Sequence, residues 1–275
     1  MKQHSPYPMS RICQVLGIAR SSAYYQAKVR EEDQLRAAVE QVAGQFPTYG
    51  NRRITVQLRR SPHNQTVGRK RVQRVMRDMG LVRPAKRKTC RTTNSVHAYP
   101  RYPNRVAGLT ITRPDQVWVS DMTYIRLRAE FVYLAVIMDV FTRAIRGWHL
   151  SRSLDLPLTL NALRMALRKA APDIHHSDQG GQYAAHEYVR LLTQCGVQIS
   201  MAATGKPEEN GFAERLMRTI IDLSEYHDFA DAHTQIGHFI NTVYHTKRIH
   251  SALGYLTPAE FEAAWRAQES SLIQA

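Results

Sequence analysis

Residues 117–125, Val117-Trp-Val-Ser-Asp-Met-Thr-Tyr-Ile125, form an apolar run that a single carboxylate, Asp121, interrupts. The aromatic and β-branched residues of this run are typical of a buried strand. Two further carboxylates are expected next to regular elements: Asp178 directly after a short strand, and Glu214 in a helix that begins near residue 207. One such residue alone would more often be a hydrogen-bonded structural residue. The three together predict a cage for divalent metal ions, because Mg²⁺ prefers carboxylate oxygens.

The pattern around these carboxylates predicts an α/β fold. Three strand-like runs come first and alternating helices and strands follow, which favours a mixed sheet flanked by helices. The predicted strands cover residues 117–127, 131–140, 142–150, 173–177 and 197–200, and the predicted helices cover 157–170, 182–195 and a segment from 207.

Charge divides the chain of 275 residues into two parts. Residues 1–113 carry 23 Lys and Arg but only 5 Asp and Glu, whereas residues 114–275 carry 15 and 18. A basic part joined to a mildly acidic part predicts a module that binds a polyanion, attached to a second domain. The alternative, a solvated and solubilising basic surface, remains open.

The basic part contains two predicted helical units. In residues 9–25, apolar residues at helical spacing are followed by Gly17 and a second short helix, which is the pattern of a helix-turn-helix. The segment 68–77 places an apolar stripe on one helix face and arginines and a lysine on the rest, which suits contacts with phosphates and base edges. Residues 84–113 are basic and rich in proline, and we expect an irregular linker that follows the DNA backbone. The candidate DNA contacts are Arg52, Arg53, Arg69, Lys70, Arg71, Arg74, Lys86, Arg87 and Lys88.

Cysteine spacing and hydropathy indicate the cellular compartment of the protein. Cys13, Cys90 and Cys195 form no C-x-x-C pair, so we expect reduced thiols and neither a zinc finger nor a disulfide framework. The longest apolar run, 131–138, is too short to span a bilayer, and no secretory signal is recognisable at the N-terminus. A cytoplasmic protein with no membrane partner is therefore predicted.

Five segments together resemble the transposases of bacterial insertion sequences. They are 118–125 around Asp121, 133–148, His176-Ser-Asp-Gln-Gly-Gly-Gln-Tyr183, Pro207-Glu-Glu-Asn-Gly-Phe-Ala-Glu214, and Lys247-Arg-Ile-His-Ser-Ala-Leu-Gly-Tyr-Leu-Thr-Pro258. The chain is most similar to the OrfB-type transposases of the insertion-sequence family numbered three, whose catalytic core is integrase-like. The resemblance covers nearly the whole chain.

This resemblance implies a ribonuclease-H-like catalytic core and the cutting and joining of DNA. Asp121, Asp178 and Glu214 would be the catalytic triad and would hold two Mg²⁺ or Mn²⁺ ions. The implied organisation is a helix-turn-helix at 1–30, a basic helical DNA-binding domain at 31–83, a basic linker at 84–113, the ribonuclease-H-like integrase core at 114–265 and a tail at 266–275. The implied partners are the terminal inverted repeats of the element, target DNA, further copies of the chain on DNA, and an upstream reading frame joined as a fusion product.

One departure from the family pattern follows Glu214. The family usually has Lys or Arg seven positions after the catalytic Glu, whereas this chain has Ile221 there, and the next segment is shorter by about four residues. Arg218, four positions after Glu214, lies on the same predicted helix face and is a candidate substitute contact to DNA. An active transposase is the first interpretation, and a catalytically impaired copy that only binds DNA is the second. A structure-specific nuclease is a third, which the large basic region disfavours.

Overall fold

The computed structural model describes residues 7–24, 32–81, 99–203, 211, 216–217 and 226–273. Two compact units are present, Met1–Ala38 and Val39–Ala275. Within the described residues, no helix is both long and apolar enough to cross a membrane.

The first unit contains the predicted helix-turn-helix pair. Helix α1 (Met9–Leu16) ends at Gly17, whose φ of 61° lies in the left-handed region that glycine adopts without strain, and α2 (Arg20–Ala23) follows. Cys13 is buried, but Val15 and Leu16 of the predicted apolar stripe are 80% and 63% exposed. The two helices therefore form as expected, although much of their apolar surface is not covered within the described residues.

Among the described residues, three helices lie between the helix-turn-helix pair and the sheet. Helix α3 (Asp33–Gln45) leads into α4 (Asn51–Arg59) and α5 (Arg69–Asp78). The apolar stripe predicted on α5 is confirmed, because Val72, Val75 and Met76 are all buried. Residues 99–113 contain neither helix nor strand, as expected of a linker, and residues 84–98 lie outside the described part of the chain.

A mixed five-stranded sheet organises the rest of the second unit. Its strands are β1 (Val117–Arg126), β2 (Phe131–Asp139), β3 (Ile145–Ser151), β4 (Ile174–Ser177) and β5 (Gln198–Met201). Their order across the sheet is β3-β2-β1-β4-β5, in which β1, β2 and β3 form an antiparallel meander. β4 and β5 run parallel to β1. This is the ribonuclease-H-like arrangement that the sequence predicted.

Helices cover both faces of the sheet. Side chains alternate between the two faces along each strand, so each face carries apolar residues that pack against these helices. Trp118, Ala135 and Ile137 face a core made with α6 (Leu156–Leu167), α7 (Gly181–Ala184) and α8 (His186–Gln194). Val117, Val119 and their neighbours on β2 face the other core, which includes α9 (Phe229–His238) and a π-helix (Phe239–Tyr244).

The chain ends in a helix that extends past the predicted catalytic core. A short 3-10 helix (Ser251–Leu253) leads to α10 (Pro258–Ile273), which includes most of the expected 266–275 tail. Arg146 on β3 links α10 to the sheet, because its guanidinium contacts Glu262 at 3.3 Å and Asp115 at 2.8 Å. Phe141 also packs against Phe261 of α10 at a ring separation of 5.4 Å.

Candidate active site

Asp121 lies in the middle of β1, where the sequence predicted it. The pairing of β1 with β2 continues without a bulge on both sides of this residue, from Trp118 to Arg126. Regular alternation therefore places Asp121 on the sheet face shared by Val117 and Val119. Its side chain is half-buried, and its Oδ1 accepts a hydrogen bond from the Met122 amide at 2.9 Å.

Asp178 follows β4 directly, also as predicted. It opens a tight turn in which its Oδ1 accepts a hydrogen bond from the Gly180 amide at 3.0 Å. A Cβ atom at Gly180 would lie 3.1 Å from that same carboxylate oxygen, so a larger residue would press on the Asp178 side chain. The Asp-Gln-Gly sequence thereby fixes the direction of the carboxylate.

The parallel pairing of β1 and β4 brings the two aspartates near each other at the carboxyl end of β4. Val119 pairs with His176, and Asp121 stands two residues later on β1, whereas Asp178 stands two residues later in the turn after β4. Neighbouring strands are about 5 Å apart, and polar sites in such sheets form at the carboxyl ends of parallel strands.

Tyr183 is a buried residue whose ionisation is affected by both aspartates. Burial raises the pKa of its hydroxyl well above the usual value, and the negative charges of Asp178 and Asp121 raise it further. Its hydroxyl lies 3.1 Å from Ser120 Oγ, which anchors α7 behind the two carboxylates. Tyr183 stands in one of the quoted motifs, but its role could not be predicted from the sequence, because only the fold shows its contact with Ser120 on β1.

Glu214, the third predicted carboxylate, lies outside the described residues. Leu216 and Met217, which follow it closely, are helical and belong to the core on the face of Val119. Among the described residues no cluster of three His, Cys, Asp or Glu side chains is placed to hold a metal ion. The convergence of all three carboxylates stays a prediction.

The neighbouring histidines, His175 and His176, have packing roles. His175 is buried against Tyr188, whose hydroxyl lies 3.0 Å from His175 Nε2, and burial lowers the pKa of this imidazole to about 3. His176 Nδ1 lies 2.8 Å from Ser200 Oγ. Both rings therefore belong to the interior of the sheet region.

The predicted DNA contacts fall into three groups. Arg52, Arg69, Lys70 and Arg71 are exposed on α4 and α5, whereas Arg53 and Arg74 are half-buried. The Arg53 guanidinium lies 5.6 Å from the centre of the Tyr49 ring, a distance typical of a cation–π contact within the protein. Lys86, Arg87, Lys88 and Arg218 lie outside the described residues.

Comparison with known families identifies the chain. Models described as "Integrase core domain" match residues 111–207 and 195–258, and one described as "HTH-like domain" matches residues 30–89. The transposase of insertion sequence IS629 from Shigella sonnei is 31% identical, covering 97% of this chain and 95% of that protein. This chain is an insertion-sequence transposase of the IS3 type.

Other relatives support the same family. The transposase of IS904 from Lactococcus lactis is 34% identical over 81% of this chain and 92% of its own length. The InsF transposase of IS3A from Escherichia coli is 29% identical over 95% and 96%. Among solved structures, an HTLV-2 integrase catalytic core described as a complex with magnesium aligns with a TM-score of 0.44 at 16% identity, covering 54% of this chain and 97% of that chain. The transposase therefore matches its relatives over nearly their whole length.

Proposed function

We propose that this transposase cuts DNA at the ends of its insertion sequence and joins the freed ends to target DNA, using Asp121, Asp178 and Glu214 as metal ligands. The observation that carries the proposal is that Asp121 on β1 and Asp178 directly after β4 each stand two residues beyond the paired residues Val119 and His176. Family membership supplies the reaction class, polynucleotidyl transfer.

The donor set fits two Mg²⁺ or Mn²⁺ ions. Both described ligands are carboxylates, whose hard oxygens suit these ions, and the Gly180 and Met122 amides hold one oxygen of each carboxylate in place. Bound metal ions would activate the attacking hydroxyl and neutralise the leaving oxygen during in-line displacement at phosphorus. The ribonuclease-H-like sheet contributes a rigid edge on which the ligands keep their spacing.

Glu214 is proposed as the third ligand because of where its neighbours lie. Leu216 and Met217 pack on the sheet face to which Asp121 also belongs. Glu214 stands two residues before Leu216, and the family resemblance assigns it to the catalytic triad.

The DNA substrate is bound by the basic part of the chain in this proposal. The match to an HTH-like domain at residues 30–89 implies DNA binding, and residues 39–81 carry nine Lys and Arg against two acidic residues. The same proposal includes domain limits at residues 30, 83, 113 and 265. It also includes the assembly of several copies on DNA, fusion to an upstream reading frame and a cytoplasmic location.

A strand-cleavage assay tests the proposed reaction. The purified protein is incubated with labelled duplexes carrying the terminal inverted repeats of the element, in Mg²⁺, in Mn²⁺ and in EDTA, with scrambled ends as the control. We expect metal-dependent nicks at the repeat boundary and joined products on added target DNA. Specific binding of the repeats without any nick in either metal would favour the second candidate, a DNA-binding copy impaired after Ile221.

A further inference from the structure

An open groove lies where the helical region meets the segment that follows the sheet. Its lining residues come from α4, from the start of α5 and from the turn after the 3-10 helix, and they are Arg52, Thr55, Val56, Arg59, Arg69 and Tyr255. Arg59 and Tyr255 were not among the DNA contacts predicted from the sequence.

One face of α4 forms the floor of the groove. Thr55, Val56 and Arg59 lie three, four and seven residues after Arg52, so these four residues share a single stripe of the helix. Two helical turns separate Arg52 from Arg59, a rise of about 10 Å. The stripe therefore carries a cationic side chain at each end and small or short side chains between them.

Contacts around Arg60 hold the opposite wall in place. Its Nη1 donates to the Tyr255 carbonyl oxygen at 3.3 Å, and its Nη2 forms an ion pair with Glu260 at the start of α10. Tyr255 itself has a φ of 65°, an uncommon value for a residue with a side chain. The Tyr255 side chain is therefore presented to the groove by a turn that Arg60 anchors.

The groove carries an unbalanced positive charge. Arg60 is neutralised by Glu260, but none of the three groove arginines, Arg52, Arg59 and Arg69, has an ion-pair partner among the residues that the structure describes. Guanidinium groups are suited to phosphate because their planar N–H donors match its oxygens in pairs. A polyanion with regularly spaced phosphates is the ligand that this charge fits.

We propose that the groove is a phosphate-binding site for the backbone of duplex DNA, with Arg52, Arg59 and Arg69 as its ligands and Tyr255 as a wall. The inference rests on the proposed DNA-binding function and deepens it by naming a contact surface. That surface is shared between the helical region and the segment after the sheet, so bound DNA touches both. Phosphate contacts set the position of DNA without selecting sequence.

Arg59 gives the sharpest test, with Arg190 as its matched control. Arg190 is an exposed arginine on α8 and does not line the groove. Binding of a labelled inverted-repeat duplex and of a scrambled duplex is measured with full-length protein in EDTA, over a range of salt concentrations. Thermal unfolding of every variant checks that it is folded.

The expected results follow from the loss of one phosphate contact. Arg59→Gln should weaken binding of both duplexes about tenfold at low salt. It should also make the log–log salt slope shallower by about 0.9. Arg52→Gln and Arg69→Gln should behave alike, and Arg59→Lys should keep the slope. Tyr255→Gly, which suits the positive φ, should weaken binding without changing the slope.

Two outcomes would overturn the inference in distinguishable ways. If Arg59→Gln is folded and its affinity and salt slope match those of Arg190→Gln and the unmodified chain, the groove is not a phosphate site, and strand cleavage by the unmodified chain still supports the proposed function. If the unmodified chain neither binds nor cleaves repeat DNA, the proposed function fails and the groove assignment fails with it.

Discussion

Asp121 on β1 and Asp178 in the turn directly after β4 each stand two residues beyond the Val119–His176 pair of these adjacent parallel strands. The two residues are far apart in sequence, and the register of β1 against β4 together with the turn at Asp178 brings them near each other. The sheet thus supplies two of the three proposed metal ligands before any helix contributes. Changes that disturb this register should affect catalysis, and changes on distant surfaces should not.

Gly147→Ala should destabilise the protein by about 3 kcal/mol or more, at the high end for an overpacked core. A Cβ atom at Gly147 would lie 2.2 Å from the Ala162 carbonyl oxygen and 2.8 Å from the Ala166 amide nitrogen, both in the backbone of α6. Urea unfolding measures the change. The control is Gly44→Ala in α3, where a Cβ atom meets nothing within 4 Å. That substitution should stabilise by about 0.5–1 kcal/mol. Equal effects at the two positions would contradict the close packing of β3 on α6.

His175 should make stability fall in mild acid. Burial lowers the pKa of its imidazole to about 3, with a further contribution from His176. In the unfolded chain a histidine titrates near 6.5, so only the unfolded state takes up the proton as pH falls below that value. The contribution of His175 to the free energy of unfolding is therefore complete above pH 6.5. Below that value it falls by about 1.4 kcal/mol per pH unit towards pH 3.

His175→Gln removes this titration and tests the sign. We expect a flatter dependence of the unfolding free energy on pH between 6.5 and 5, whatever the variant's stability at pH 8. Chemical denaturation across this pH range gives the slope. An unchanged slope would mean that His175 is protonated in the folded protein, which would be inconsistent with its buried contact to Tyr188.

Tyr49→Phe should cost about 1–3 kcal/mol of stability, because it leaves a buried N–H without an acceptor. The Ile249 amide donates to the Tyr49 hydroxyl at 2.7 Å, and Arg53 and Arg248 contact the ring at 5.6 and 5.4 Å. The ring contacts survive the change, so the hydroxyl alone is tested by urea unfolding. Tyr124→Phe, at a residue 39% exposed, should change stability by less than about 0.5 kcal/mol. Similar losses in both variants would argue against a special role for the Tyr49 hydroxyl.

The sequence predicted the five strands well but missed two local features. The third strand begins at Ile145, three residues later than expected, because the Asp139 carboxylate accepts hydrogen bonds from the Phe141 and Thr142 amides and holds a turn. The helix expected over 182–195 is two helices, with Ala185 extended between them at ψ 140°. Neither glycine nor proline marks that break in the sequence.

Long-range contacts explain what sequence patterns could not reveal about the site. Asp121 and Asp178 were recognisable because the first interrupts an apolar strand and the second directly follows one. Arg53 has the sequence pattern of an exposed basic residue, yet its guanidinium lies on Tyr49. Tyr255 reaches the groove through Arg60, which is 195 residues away in sequence. Pairings of this separation leave no periodic signal in a single sequence.

Lengthening the segment after Glu214 should raise activity. Met217 and Tyr226 are both buried in one core cluster and bracket the shortened segment. Replacing Ile221 with Lys-Glu-Glu-Glu-Val restores the basic residue typical of the family and about four positions. We expect strand transfer to increase, on the order of 10²-fold if the DNA end is now misplaced by about 1 Å. Equal activity of both proteins would show that the shorter segment is neutral, and inactivity of both would point to another defect.

The central claim is tested most directly by measuring strand cleavage in Mg²⁺ for Asp121→Asn and Asp178→Asn beside Asp155→Asn. The first two substitutions remove a proposed ligand charge without changing side-chain size, and Asp155 is an exposed residue at the N-terminus of α6 where Asn is equally suited. The account predicts that Asp121→Asn and Asp178→Asn bind the inverted repeats as tightly as the unmodified chain but produce no nick, whereas Asp155→Asn cleaves normally. Normal cleavage by either Asp121→Asn or Asp178→Asn would contradict it.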